Sequence, residues 1–167
     1  MVDRRGRPAG AAPRAACHGD PSRIHAVVHL HLFDAQGRLY LQKRSASKDT
    51  CPGRWDTSVG GHLAPGETPE QGLEREAREE LSLERLEARP LARYLFRSAY
   101  ESEYVFAFRA VCDGEPRPDP LEIQKGRFFE LEQLRKLLRR EPEAFTPHFR
   151  RAFRRLLAKG RRRRFPG

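Results

Sequence analysis

The chain has 167 residues, 38% hydrophobic and 34% charged, with a net charge of +10. That length suits one domain with a sizeable core; the apolar content is too high for a disordered chain, and no apolar run approaches the roughly 18 residues that span a bilayer. The basic N-terminus lacks the apolar stretch of a secretory signal, and Cys17, Cys51 and Cys112 have no zinc-knuckle spacing, so reduced thiols of a cytoplasmic protein are expected.

The first predicted element is a strand over Ile24–Phe33. Ile24, Ala26, Val28, Leu30 and Leu32 alternate on one face, with His25, Val27, His29, His31 and Phe33 on the other. A turn at Asp34–Gly37 leads to a second strand, Arg38–Arg44. A Pro- and Gly-containing loop at Ser45–Arg54 precedes a short extended piece, Trp55–Val59. A helix follows, with Thr68 as N-cap, Pro69 at its first position and Gln71 completing a capping box. It runs to about Leu81, and Leu73, Ala77 and Leu81 form its core stripe.

Further strands are predicted near Leu86–Phe96, Glu103–Cys112 and Gly126–Glu130. Leu131–Arg140 reads as a short amphipathic helix. A last helix starts at Thr146–Pro147, carries Phe149, Ala152, Phe153, Leu156 and Leu157 on one face, and ends at Gly160. The mixed order of strands and helices points to an α/β sandwich over residues 1–159, with residues 160–167 as a loose basic tail. The positive charge gathers at that end: residues 131–167 carry 13 basic and 3 acidic side chains. A solvated helix face and frayed end account for it more simply than binding of nucleic acid or an acidic partner. Oligomeric state is open.

Glu76, Glu79 and Glu80 stand at i, i+3 and i+4, so one helix face carries three carboxylates. Such a cluster repels itself. The tight loop before the helix, GGHLAPGE, brings backbone against the same face, and Glu67 can fold back onto it. Hard oxygen ligands in this arrangement suit Mg²⁺ or Mn²⁺, whose charge removes the repulsion.

These residues resemble the Nudix box, G-x5-E-x7-R-E-U-x-E-E-x-G-U, where U is aliphatic. Gly61, Glu67, Arg75, Glu76, Glu79 and Glu80 fall on its charged and glycine positions, and Leu83 on its last aliphatic one. Ala77 is small for its place, and Ser82 stands where the pattern has Gly at the helix end. The resemblance implies a Nudix-type α/β/α sandwich with a mixed sheet. It also implies metal-dependent hydrolysis of a diphosphate bond in a nucleoside diphosphate-linked or other organic diphosphate. Glu76, Glu79 and Glu80 would hold the ion and Gly61 would lie against the substrate. Arg75 would orient the glutamates. The general base is Glu76, Glu79 or a later carboxylate such as Glu122.

From about Asp3 to Phe149 the chain also looks like the isopentenyl-diphosphate isomerase branch of that superfamily. DRRGRPAG (Asp3–Gly10) resembles the branch's first hairpin turn, although the strand preceding that turn is almost absent. The isomerases hold a metal with three histidines and two glutamates, and the matching positions are His18, His25, His62, Glu101 and Glu103. That set would take a second divalent ion, Mn²⁺, Zn²⁺ or Fe²⁺ rather than Mg²⁺. Arg44 and Lys48 match diphosphate-binding residues and Trp55 a pocket tryptophan. His29 and His31 have no such match and read as packed or exposed side chains.

The isomerase acid/base cysteine has no counterpart: Gly60 occupies its place in SVGGH. Isomerisation needs proton donation to one carbon and removal from another. The balance favours a hydrolase on an isomerase-like scaffold. An isomerase with an altered acid/base and a non-catalytic binding module are the alternatives.

Overall fold

The structure, a computed structural model, describes residues 1–112 and 114–160. In chain order its elements are α1 (Arg14–Cys17), β1 (Ile24–Phe33), β2 (Leu39–Arg44), β3 (Trp55–Asp56), β4 (Val59–His62), α2 (Pro69–Leu81), β5 (Arg89–Arg97), β6 (Ser102–Val111), β7 (Ile123–Phe129), α3 (Leu131–Arg140), a 3-10 turn (Pro142–Ala144) and α4 (Pro147–Gly160). The basic run beyond residue 160 lies outside the described residues.

β1 organises a seven-stranded sheet. It pairs parallel with β6 along its whole length, from Ile24 opposite Ser102 to Phe33 opposite Val111. Its other edge pairs antiparallel with β4, from Val27 opposite His62 to Leu30 opposite Val59. β5 runs antiparallel to β6, and β2 carries β7 and β3 antiparallel. One parallel pair among antiparallel ones makes the sheet mixed, as expected.

The two faces of β1 are both buried, so the alternation read from sequence separates two cores rather than core from solvent. Val28, Leu30 and Leu32 pack with Leu73, Ala77 and Leu81 of α2. On the opposite face, Phe33, Leu39, Leu41 and Phe129 pack with Leu134 of α3 and with Phe149 and Phe153 of α4. Each fully buried leucine or phenylalanine contributes about 2 kcal/mol of transfer free energy. The layers are helix, sheet, helix: an α/β/α sandwich. No helix among the described residues is long and apolar enough to cross a membrane.

Several expected boundaries move. β7 starts at Ile123, three residues before the glycine that the sequence suggested as its start. The extended piece at Trp55 divides into β3 and β4, because Ser58 leaves the ladder: its hydroxyl accepts from Leu32 N at 2.9 Å and donates to Tyr40 O at 2.6 Å. α1 has no sequence signal and is only four residues long. The N-terminal turn packs onto the domain: Val2 bridges Pro8, and Asp3 Oδ1 accepts from Arg5 N and Arg7 N at 2.8 and 3.0 Å. Gly6 sits at φ +78°, and a Cβ there would stand 2.3 Å from the Tyr104 ring of β6.

Candidate functional site

The carboxylate helix is held at both ends by local chemistry. Thr68 Oγ1 accepts from Gln71 N, and Gln71 Oε1 accepts from Thr68 N, which closes the capping box. At the other end Ser82 adopts the left-handed conformation, φ 54°, and its N–H bonds the Ala77 and Arg78 carbonyls. The box pattern prefers glycine there because a Cβ strains this conformation.

Arg75 ties the loop to the helix. Its guanidinium donates to both oxygens of Glu67 at 2.8 and 3.0 Å, to Glu76 at 2.8 Å, to Glu79 at 3.2 Å and to the carbonyl of His62 at 2.9 Å. Glu76 lies directly over Gly61, where a Cβ would come 1.9 Å from its carboxyl carbon. Only glycine leaves that carboxylate its place. Glu80 is buried and accepts from Gln42 Nε2 at 2.9 Å and Gly60 N at 3.3 Å. Burial, with Glu76 beside it, pushes Glu80 up to about 8. Burial also raises Glu76. Glu79 stands at the exposed rim. A mutually repelling carboxylate pair, one member buried and the other half-buried, is what a divalent cation relieves.

The second cluster is assembled from distant segments. His18 follows α1, His25 lies on β1, His62 ends β4, and Glu101 and Glu103 stand at the start of β6. The parallel register sets His25 opposite Glu103. His18 Nε2 is 3.2 Å from His62 Nε2, 3.5 Å from Glu101 Oε2, and His25 Nε2 is 3.6 Å from Glu103 Oε1. Both ring nitrogens of His25, with Glu101 Oε2 and Glu103 Oε2, are buried without an aligned hydrogen-bond partner. Buried polar atoms are ordinarily bonded, and nitrogen with carboxylate donors suits a borderline divalent ion. Burial, together with the neighbouring His25, lowers His62 to about 4, which keeps its ring neutral and ready to ligate.

Two residues join this cluster that the sequence did not single out for it. His29 is buried in the cavity wall rather than in generic packing. His148, at the start of α4, lies 2.7 Å from Glu103 Oε2 and 3.4 Å from Glu101 Oε1. Burial opposes its charge, but the two carboxylates outweigh that and push it up to about 10. Thr146 sets its position: the hydroxyl accepts from Phe149 N at 3.0 Å and donates to Asp56 Oδ1 at 2.8 Å. The alternation of β1 had already put His29 on the face of His25; nothing in the sequence near His148 pointed to it.

Both clusters open into one cavity of about 640 Å³, which Arg44, Lys48 and Glu122 also line. Lys48 is ion-paired with Glu122. Arg44 Nε donates to Thr50 O at 2.9 Å, and its guanidinium stands 3.5 Å from Asp56. Trp55 is not brought there. In β3 it pairs with Lys43, and its ring packs edge-on against Phe129 at 5.0 Å, beside the core residues of the α3–α4 layer. The expected pocket tryptophan is a half-buried residue packed against the core of that layer.

Comparison with known proteins identifies the family. A family model described as NUDIX domain matches residues 23–149. The chain is 34% identical over 153 residues to Isopentenyl-diphosphate Delta-isomerase of Nocardia farcinica, covering 88% of this chain and 87% of that protein. It is similar in structure to a protein from Deinococcus radiodurans, with TM-score 0.78 at 30% identity over 93% of this chain and 96% of that one. It is also similar to a MutT NUDIX hydrolase from Burkholderia pseudomallei, with TM-score 0.65 at 26% identity over 80% and 98% of the two chains. The chain belongs to the Nudix family.

Proposed function

We infer that this protein is a metal-dependent hydrolase that cleaves the diphosphate bond of a small organic or nucleoside-linked diphosphate. The observation that carries this reading is the pair of buried Glu80 and half-buried Glu76, which lines a cavity also lined by Arg44 and Lys48. Glu76, Glu79 and Glu80 would hold Mg²⁺ or Mn²⁺. Bound there, such an ion supplies charge neutralisation for the diphosphate oxygens and a lowered pKa for the attacking water. Arg75 keeps the three glutamates in register with the loop. Arg44 and Lys48 offer positive charge to the diphosphate. Glu76 lines the cavity, where Glu79 does not, and burial raises its affinity for a proton; it is the base we assign. It takes a proton from water as the water oxygen bonds to phosphorus, and the bridging P–O bond breaks with its electron pair leaving on the departing phosphate.

A panel of organic diphosphates and nucleoside diphosphate conjugates, assayed with Mg²⁺ for released phosphate or monophosphate, tests this. Silence across the panel would sink it.

The names of the similar curated proteins favour a second reading, isopentenyl-diphosphate isomerisation. Position 60 weighs against it, since a glycine can neither give nor take a proton. A Cβ at Gly60 would meet Thr57 Oγ1 at 3.4 Å and His29 Cδ2 at 3.5 Å, which are ordinary contacts. Gly60→Cys is therefore expected to fold. Deuterium incorporation into isopentenyl diphosphate by the unmodified chain would overturn the hydrolase reading; incorporation only by Gly60→Cys would support it. A binding module would instead show salt-sensitive oligonucleotide binding, lost on deleting residues 160–167.

A further inference from the structure

Glu101 and Glu103 each face two ways. Glu101 turns Oε2 to His18, at 3.5 Å, and Oε1 to His148 Nε2, at 3.4 Å. Glu103 turns Oε1 to His25, at 3.6 Å, and Oε2 to His148 Nδ1, at 2.7 Å. The carboxylates thus form a wall between the three histidines His18, His25 and His62 on one side and His148 with His29 on the other. On that far side, single ligand atoms of His29, Glu103 and His148 lie within 4.8 Å of one another. His29 Nδ1 is buried without a hydrogen-bond partner, and the 2.7 Å contact of Glu103 Oε2 with His148 Nδ1 is not aligned as a hydrogen bond.

The geometry points to a second transition-metal site, formed by His29, Glu103 and His148, with Glu103 bridging to the first ion. This rests on the reading of His18, His25, His62, Glu101 and Glu103 as a metal centre. Two imidazoles and one carboxylate select a first-row transition ion over Mg²⁺. Glu103 would give Oε1 to one ion and Oε2 to the other. His148 would ligate through Nδ1 while its Nε2–H stays on Glu101 Oε1. A carboxylate on the second ring nitrogen is the usual way a ligating histidine is oriented. Three protein ligands leave coordination positions open, and His29 and His148 both line the cavity. Water or a phosphoryl oxygen of the substrate can fill those positions. This site is separate from the glutamates of α2, so a fully loaded chain would carry two transition ions beside any Mg²⁺ held there.

The full-length chain is stripped with chelator, loaded with Co²⁺, washed in excess Mg²⁺ to keep Co²⁺ off the α2 glutamates, and its cobalt counted by elemental analysis. Two equivalents are expected in the unmodified chain, one in His148→Gln and one in His62→Gln. Electron paramagnetic resonance of the Mn²⁺-loaded chain, washed in the same excess Mg²⁺, should show an exchange-coupled pair, and each variant an uncoupled six-line signal. Because His29 is buried, His29→Asn is paired with His148→Gln, whose position is less enclosed, and each variant's fold is checked by circular dichroism. One equivalent that His62→Gln removes and His148→Gln leaves would overturn the second site and keep the first. One equivalent that His148→Gln removes and His62→Gln leaves would overturn the first centre and with it the bridged pair. No retained cobalt would overturn both.

Discussion

The two candidate ligand clusters of this protein share a cavity but are built in opposite ways. The carboxylate face of α2 comes from one stretch of chain, Glu67 to Glu80, folded by a capping box and locked by Arg75. The histidine–glutamate cluster draws on α1's end, β1, β4, the start of β6 and the start of α4. The first is fixed by local geometry, so it survives as a pattern along the chain. The second exists only because β1 and β6 run parallel in one register and β4 closes on β1. A local site can be damaged by one substitution without touching the fold. An assembled site is spread over elements that also carry the core.

The sharpest test of that contrast is Glu80→Gln. Hydrolysis should fall by about 10³-fold or more, as expected when a metal-dependent site loses a buried ligand, with kcat measured at saturating Mg²⁺. The fold should stay intact, and metal-free stability should show why. Glu80 rises from an ordinary 4.5 to about 8 in the folded protein. A folded pKa above the unfolded one favours folding below the ordinary value, and that contribution is lost as pH climbs through about 8. The metal-free unmodified chain should therefore lose melting temperature between about pH 5 and pH 8.5 relative to Glu80→Gln. Parallel melting curves across that range would mean that Glu80 is not a strained carboxylate.

Gly61→Ala comes next. The new methyl would displace the Glu76 carboxylate, so kcat/KM should drop roughly 10- to 100-fold, the loss expected from a misplaced catalytic group. Unchanged kinetics would show that Glu76 has no fixed place over Gly61. His62→Gln is expected to cost about tenfold in Mg²⁺-dependent hydrolysis, since it acts beside the glutamates and not among them. A loss as large as that of Glu80→Gln would erase the distinction and make the clusters one catalytic unit. The smallest effect is expected from Ser82→Gly, which removes the left-handed strain and should stabilise by about 1 kcal/mol in denaturant unfolding. Ser82 Oγ also donates to the Arg117 carbonyl at 3.4 Å, and a destabilised variant would show that this bond matters more than the strain.

What could be read in advance follows the same division. Thr68, Pro69 and Gln71 announce the start of α2 within four residues, and its apolar stripe is set by helical period alone. The pairing of β1 with β6 and β4 has no such mark, so the relation of His25 to Glu103 was legible only through resemblance. His29 carries no mark in the sequence, because a histidine on a strand buried on both faces looks like any packed polar residue. His148 was overlooked because its partners are about 45 residues away in sequence, across β7 and α3. Trp55 runs in the other direction: similarity in the surrounding stretch suggests a pocket, while its ring packs against Phe129 in the α3–α4 layer.

Arg75 has a consequence that reaches beyond the glutamates. One branch of its guanidinium grips Glu67 and the other Glu76 and Glu79, and the same group holds the backbone carbonyl of His62. His62's ring belongs to the other cluster. A single planar cation is therefore the mechanical joint between them, and any shift of that fork on filling one cluster would be felt by a ligand of the other. Such a linkage is reciprocal: whatever ion occupancy at α2 does to affinity at the histidines, occupancy at the histidines would do in equal measure to affinity at α2.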